Sequence, residues 1–203
     1  MTQAYMQSGN TFRIVDKGAM NMRDTLPAGT YCIAVTQAGF HFEKVENFTL
    51  PSKLYGNTKK QSERIINTFY SRPAGTGVLL SGQKGSGKTM LAKSISSDLL
   101  EQGVITILVN NALCGEGFNA LLQSVTQPAV VLFDEFEKVY DREDQARLLT
   151  VFDGTYSSKK LFLLTCNERH RIDQYMLNRP GRLYYFLEFG SLEPDFIKER
   201  SEE

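Results

Sequence analysis

The stretch that decides the fold is Gly82-Gln83-Lys84-Gly85-Ser86-Gly87-Lys88-Thr89. It fits the pattern G-x-x-x-x-G-K-[ST], whose glycines let the backbone wrap closely so that successive N–H groups point inward at a polyphosphate. Lys88 would add a positive charge near the β- and γ-phosphates, and the hydroxyl of Thr89 would bind a magnesium ion. The helix that begins there, with Met90 next along the chain, directs its positive end at the phosphates. The motif, with Met90 after it, is therefore the predicted nucleotide-binding segment.

The segments on either side of this loop have the structure that the motif needs. The apolar run Val78-Leu79-Leu80 is typical of a buried strand, and Met90 to Leu100 has helical spacing and ends near Gly103. A glycine-rich surface turn is the other interpretation of the same residues. The order of strand, glycine loop and helix favours the phosphate-binding interpretation.

Composition limits the class of protein. The 203 residues suit one main domain with a small addition, and 23 basic side chains balance 23 acidic ones. The balanced charge therefore gives no overall positive electrostatic potential that would attract nucleic acid or an acidic surface, although it does not exclude a local basic patch. Three scattered cysteines indicate a reducing compartment. No signal-peptide core or membrane-spanning run is present, so we predict a cytoplasmic protein.

The chain divides into three parts. Residues 1–50 are predicted to be a small β-rich region that begins with about ten loose residues, residues 51–190 a core, and residues 191–203 a short C-terminal segment. In the core, short apolar runs alternate with amphipathic stretches, which indicates an α/β fold with a parallel sheet covered on both faces. The predicted core strands are Val78–Leu80, Val104–Val109, Val130–Phe133, Leu161–Thr165 and Leu183–Phe189.

A second chemical signal follows the predicted strand Val130–Phe133. Asp134 and Glu135 come directly after it. Ligands of open α/β sheets bind at the carboxyl ends of the strands, so Asp134 would hold magnesium beside Thr89. Glu135 would polarise a water molecule for attack on the γ-phosphate. A solvated loop is the alternative interpretation of two adjacent acids, and the preceding glycine loop makes it the weaker one.

Together these motifs resemble those of AAA+ ATPases, in the branch that remodels proteins. The glycine loop and Asp134-Glu135 resemble its Walker A and Walker B motifs. Three further segments are similar to that branch: the helix after Walker B, the strand that ends in a sensor asparagine, and an arginine-finger segment. They are Arg147–Gly154, Leu161–Asn167 and Asn178-Arg179-Pro180-Gly181-Arg182. The resemblance covers about residues 50–189.

The resemblance implies a P-loop NTPase three-layer sandwich, with a five-stranded parallel sheet in the order 5-1-4-3-2. It implies that Asn167 reaches the attacking water or the γ-phosphate, and that Tyr55 and Gly56 touch adenine. Arg179 and Arg182 would project at one edge and act in trans on a neighbouring subunit. Head-to-tail contacts of this kind form a ring or a spiral. The implied activity is magnesium-dependent ATP hydrolysis that remodels a protein partner.

The sequence departs from the family in its short ending, where residues 191–203 would be the start of a truncated or minimal helical lid. An obvious pore loop is also missing; Phe118 is either a pore residue or a core residue at helical spacing with Leu121 and Leu122. Two other functions stay open: a nucleic-acid-associated ATPase of the loader or helicase-like kind, and a slow nucleotide-dependent binding switch.

Overall fold

The structure is a computed structural model that describes residues 3–8, 10–16, 23–37, 39–52, 57–153, 156, 158–178 and 182–190. Over these ranges four strands precede the first helix, and five further strands then alternate with helices. The strands are β1 (Gln3–Ser8), β2 (Thr11–Asp16), β3 (Thr30–Thr36), β4 (Gly39–Val45), β5 (Thr76–Gly82), β6 (Ile105–Val109), β7 (Ala129–Phe133), β8 (Lys160–Cys166) and β9 (Tyr185–Phe189). The α-helices are α1 (Thr58–Ser71), α2 (Lys88–Leu100), α3 (Glu116–Ser124), α4 (Phe136–Val139), α5 (Arg142–Phe152) and α6 (Gln174–Asn178), with a 3₁₀ turn at Arg169–Arg171.

The main sheet has seven strands in the order β4-β3-β6-β7-β8-β5-β9. Every neighbouring pair is parallel except β3 and β4, which are antiparallel. The core strands β5 to β9 follow one another in the predicted 5-1-4-3-2 order, and the α/β class is confirmed. The prediction of five strands is wrong, because the hairpin of β3 and β4 extends the sheet beyond β6.

The hairpin of β3 and β4 is joined to the core by backbone and side-chain contacts. β3 pairs with β6 from Thr30 opposite Thr106 to Cys32 opposite Leu108. Just before β3, the side-chain amide of Gln127 both donates to and accepts from the backbone of Leu26, as a neighbouring strand would. β1 and β2 form a separate two-stranded antiparallel sheet. The prediction of a loose start is therefore wrong for Gln3–Ser8.

Helices cover both faces of the sheet, which gives the predicted three layers. On one face α1 and α2 pack on alternate strand residues such as Val78, Val130 and Leu163. On the other face α3 to α6 pack on the intervening residues, with Phe118 of α3 among them. Apolar side chains at every strand position are what a parallel sheet buried on both faces requires.

This topology brings three strand ends together. β8 lies between β5 and β7, with Ser81 opposite Cys166 and Phe133 opposite Leu164. Because all three strands are parallel, the residues that follow them meet at one edge of the sheet. The glycine loop after β5, the two acids after β7 and Asn167 after β8 therefore surround one place, although they are far apart in the sequence.

Candidate active site

The loop after β5 has a backbone that only glycine accommodates easily. Gly82 has φ +142°, and a Cβ at this position would lie 2.2 Å from the carbonyl oxygen of Phe189. Gly87 has φ +99° and is the N-cap of α2, without a side-chain cap. The first amide groups of α2 consequently have no intrahelical acceptor. In the same loop the Ser86 hydroxyl oxygen is buried without a hydrogen-bond partner among the described residues. These unsatisfied donors suit the oxygens of a phosphate chain.

Lys88 lies at the centre of the site and is only 5% exposed. Its Nζ donates to the backbone oxygens of Gly82 at 2.6 Å and Gln83 at 2.7 Å, and to Oδ1 of Asn167 at 3.1 Å. Burial lowers the pKa of Lys88, whereas neighbouring acidic groups act in the opposite direction. All three ammonium hydrogens therefore have protein acceptors, and a phosphate would compete with these acceptors for the same charge.

Asp134, directly after β7, links the strand ends. Its Oδ1 accepts hydrogen bonds from the hydroxyls of Thr89 at 3.2 Å and Thr165 at 2.5 Å. The Thr89 hydroxyl and the Asp134 carboxylate are hard oxygen ligands of the kind that magnesium takes, and this ion usually keeps several waters beside one or two carboxylates. The predicted neighbourhood of Thr89 and Asp134 is present in the structure.

Glu135 has a backbone conformation that is rare for a residue with a side chain. Its φ is 49° and its ψ 46°, in the left-handed region, and it is the N-cap of α4. Its N–H donates to the Thr165 hydroxyl oxygen at 2.9 Å, which holds the turn. The hydrogen bond from Lys138 at 2.5 Å is the main reason that the pKa of Glu135 is lowered. Strained backbone of this kind occurs often at functional sites.

Asn167, after β8, has a hydrogen bond at each end of its side-chain amide. Oδ1 accepts from Lys88, and Nδ2 donates to Oε1 of Glu137 at 3.2 Å, with Oε1 of Glu135 at 3.5 Å. Its backbone N–H also donates to Oε1 of Glu137, at 2.9 Å. Asn167 therefore lies between Lys88 and the acids that follow β7.

These groups line one cavity of about 330 Å³ at the edge of the sheet. A cavity of this size suits the phosphate end of a nucleotide with its metal. The glycine loop, two lysines, two acids, two hydroxyls and an amide converge on this cavity. Its lining residues are Lys84, Gly85, Gly87, Lys88, Thr89, Met90, Asp134, Glu135, Thr165 and Asn167.

Other predicted residues are either outside the described residues or buried in the core. Tyr55, Gly56 and Arg179 are outside the described residues, as is the predicted lid segment 191–203. Phe118 is fully buried in the core, so the core interpretation of this residue is the correct one.

Arg182 does not project from the surface as predicted, because its guanidinium group is held within the chain. The side chain is 6% exposed, and it donates from Nε and Nη2 to the two carboxylate oxygens of Asp153, at 2.8 and 2.6 Å. Its Nη1 donates to the backbone oxygen of Tyr175 at 2.7 Å. The hydrogen bonds to Asp153 raise the pKa of Arg182 further.

Three residues of the site were missed by the sequence analysis: Thr165, Glu137 and Lys138. Thr165 could have been noticed as a hydroxyl beside the predicted sensor asparagine, at the end of a strand next to Asp134. Glu137 repeats the acidic character of Glu135 two residues later. Lys138 is spaced by three residues from Glu135, the distance of a helical ion pair, but the short helix α4 had not been predicted.

The fold and the site define a P-loop NTPase. The sequence profile of the family described as "ATPase family associated with various cellular activities (AAA)" matches residues 78–191, more than half of the chain. The chain belongs to this family. The matched range contains the glycine loop, both acids after β7 and Asn167, and membership implies nucleotide binding.

Individual relatives share between 26% and 34% sequence identity with this chain over the aligned residues. Protein mac-1 of Caenorhabditis elegans is 32% identical over 139 residues, which cover 58% of this chain and 17% of the relative. The nuclear valosin-containing protein-like protein of Mus musculus is 34% identical over 127 residues, 53% of this chain and 14% of the relative. The probable mitochondrial chaperone bcs1 of Schizosaccharomyces pombe is 26% identical over 140 residues, 63% of this chain and 31% of the relative. The chain spans less than a third of the length of each relative.

Within the described ranges, no helix combines the length and apolar character needed to cross a bilayer.

Proposed function

We propose that this protein is a magnesium-dependent ATPase of the AAA+ type. The observation that carries the proposal is the convergence of Lys88, Asp134, Glu135 and Asn167, from three different strand ends, on one cavity. Each of these side chains has the chemistry that one part of phosphoryl transfer needs. The family description supports ATP as the nucleotide.

The loop amides and Lys88 would bind the phosphate oxygens, and Lys88 would exchange its contact with Asn167 for a contact with phosphate. Thr89 and Asp134 would hold magnesium, which on binding neutralises charge on the β- and γ-phosphates. The hydrogen bond from Lys138 lowers the pKa of Glu135 and so weakens it as a base, and release of this bond would restore its basicity. Glu135 could then accept a proton from water while the water oxygen bonds to the γ-phosphorus and the bond to the ADP oxygen breaks.

Assembly and a protein partner are the finer part of the proposal. Arg179 would supply positive charge to the nucleotide of a neighbouring subunit, since guanidinium groups stabilise the charge of the transferring phosphoryl group. Arg182 is a weaker candidate for an arginine finger, because its ion pair with Asp153 would have to open before it could act in trans. We propose that Arg182 holds the segment before β9 in place, with Arg179 as the arginine finger of a ring or spiral.

Remodelling of a protein partner is supported by one relative whose name describes a chaperone. A cytoplasmic location stays a prediction, and the names of two relatives, one nuclear and one mitochondrial, do not support it.

A slow nucleotide-dependent switch is a second candidate, favoured by one observation. Lys138 holds the Glu135 carboxylate, and Lys88 already has three protein acceptors. Such an arrangement must open before hydrolysis, and opening could limit turnover. Single-turnover hydrolysis by the assembled protein separates the two functions: a slow first turnover, limited by the opening of these contacts, indicates a switch, whereas a fast first turnover with fast steady-state turnover indicates a motor.

Steady-state ATP hydrolysis by Glu135→Gln tests the proposed function. We expect turnover to fall by about 100-fold or more, because the base is lost, while binding of a non-hydrolysable ATP analogue persists. Glu188→Gln is the matched control, since Glu188 is an exposed glutamate of β9 that does not line the cavity. Equal turnover in wild type and Glu135→Gln would contradict the proposal. A rise of the wild-type rate on addition of DNA would point to the nucleic-acid-associated alternative.

The mass of the full chain with and without ATP, together with Arg179→Ala, tests assembly. We expect the mass to rise with ATP. We also expect Arg179→Ala to lower turnover while each subunit still binds nucleotide. A monomer with normal turnover would contradict the trans-acting role of Arg179.

A further inference from the structure

Glu137 is a buried acid beside the site that the proposed chemistry does not use. It lies in the single turn of α4 and is 3% exposed. Its Oε1 accepts the backbone N–H of Asn167 at 2.9 Å and the side-chain Nδ2 of the same residue at 3.2 Å. One carboxylate oxygen therefore holds both the backbone and the side chain of Asn167.

This double contact determines which way the Asn167 amide points. A carboxylate only accepts hydrogen bonds, so it selects the NH₂ end of the amide. The oxygen end is left to face the ammonium group of Lys88, 3.1 Å away. In the flipped amide, NH₂ would meet a positive charge and Oδ1 would meet the carboxylate of Glu137. Two independent contacts thus favour the same orientation.

Glu137 itself is badly placed to act on a water molecule. It does not line the cavity, whereas Glu135 does. Its second oxygen, Oε2, is buried and has no hydrogen-bond partner among the described residues. An unsatisfied buried carboxylate oxygen is costly, and such groups in native proteins call for an explanation.

We propose that Glu137 is a positioning residue for Asn167. It fixes the backbone and amide of Asn167 so that, when Lys88 moves to the phosphate, the side chain stays oriented toward the γ-phosphate end of the cavity. Without Glu137 the amide would turn to the next acceptor, Oε1 of Glu135, which is already 3.5 Å from Nδ2. That contact would occupy the carboxylate that has to accept the proton. The inference rests on the proposed ATPase function.

A double-mutant cycle of Glu137→Ala and Asn167→Ala tests the proposal through kcat and KM for ATP. We expect Glu137→Ala to lower kcat by about 10-fold, with KM changed by less than about 2-fold, because positioning affects the chemical step rather than ground-state binding. In the Asn167→Ala background the same change should lower kcat by less than about 2-fold, since the positioned group is already absent. A loss of kcat that is equally large in both backgrounds would overturn the proposal.

Glu137→Gln is the conservative variant, because its amide oxygen can still accept both hydrogen bonds from Asn167. We expect its kcat to remain within about 3-fold of wild type, which a role for the charge alone would not allow. A loss in Glu137→Gln as large as in Glu137→Ala would count against the proposal.

A spectroscopic readout keeps the test independent of activity and of the folding of the alanine variant. In the nucleotide-free wild type, NMR should show the backbone N–H of Asn167 as a hydrogen-bonded, slowly exchanging amide, and Glu137→Gln should keep that protection. Rapid exchange of this amide in folded wild type would overturn the positioning geometry. Absence of wild-type ATPase activity with a protected amide would instead refute the proposed function alone.

Discussion

Thr165→Val removes the hydroxyl that connects the two acids of the site. Thr165 is 1% exposed, and its Oγ1 donates to Oδ1 of Asp134 at 2.5 Å while accepting the N–H of Glu135 at 2.9 Å. Valine has nearly the same shape, so the substitution deletes these hydrogen bonds without opening a large cavity. The effect on stability and on turnover can therefore be assigned to the hydroxyl.

The expected loss of stability follows from the two contacts. A hydrogen bond to a charged acceptor contributes about 1.5–3 kcal/mol, and an unsatisfied buried donor, here the N–H of Glu135, costs about 1–3 kcal/mol. The added methyl group returns about 0.8 kcal/mol by burial of apolar surface. Thr165→Val should therefore lower the free energy of unfolding by about 2–5 kcal/mol, measured by urea denaturation.

Turnover should fall as well, because Glu135 would lose the contact that holds its left-handed backbone conformation. Misplacement of a reacting group by about 1 Å can reduce rate by about 100-fold, so we expect kcat for ATP hydrolysis to fall by about 10- to 100-fold.

Thr76→Val is the matched control for this prediction. Thr76 is equally buried, but its Oγ1 has no hydrogen-bond partner among the described residues, and it lies at the opposite end of β5 from the glycine loop. We expect this variant to be as stable as wild type or more stable, with unchanged kcat. The reasoning is refuted if Thr165→Val loses no more stability than Thr76→Val and hydrolyses ATP at the wild-type rate.

Three further predictions concern stability and can be measured by urea denaturation. Gly82→Ala should lower the free energy of unfolding by more than about 3 kcal/mol, because the φ of Gly82 is +142° and the new Cβ would overlap the carbonyl oxygen of Phe189. Wild-type stability of this variant would contradict the backbone conformation described for Gly82. Burial lowers the pKa of Lys160 to about 8, so the unfolded chain binds more protons between pH 8 and 10.5, and stability should rise over that window by up to about 1.4 kcal/mol per pH unit. Lys160→Met should lack this rise, and parallel pH curves for the two proteins would contradict the assignment. Arg182→Lys should cost about 1–2 kcal/mol by losing the two-point contact with Asp153, and no loss would show that this ion pair contributes little.

The parts of the site that could be predicted from sequence are those that are local in the chain. Residues Gly82 to Thr89 form one short pattern that predicts phosphate binding. Asp134 and Glu135 directly follow an apolar run that predicts a strand. Asn167 required the resemblance to a family, because one asparagine after a strand has no specific signal of its own. The structure brings these three segments to one cavity, as the order of parallel strands requires.

The contacts that the sequence did not disclose depend on pairing between distant strands. Thr165 bonds to Asp134 across 31 residues, a contact that needs the register of β7 against β8. The same limit applies to β3, whose pairing with β6 turns a predicted addition into part of the sheet. Periodicity shows that a strand is present, but it does not show which strand lies beside it.

Arg182 illustrates a further limit. Its place in a segment that resembles an arginine finger indicated an exposed side chain, whereas the folded chain supplies Asp153 as a partner within the same molecule. The position of a charged residue in the sequence does not show which residue it pairs with in the folded chain.

Binding of a non-hydrolysable ATP analogue, measured by titration calorimetry with magnesium and with EDTA, tests the central claim most directly. The claim is that the glycine loop, Thr89 and Asp134 bind one nucleotide and its metal. Wild type should bind the analogue more tightly with magnesium than with EDTA, and Asp134→Asn should lose most of this difference while still binding the metal-free analogue. The same magnesium effect in Asp134→Asn, or no binding by wild type, would contradict the account.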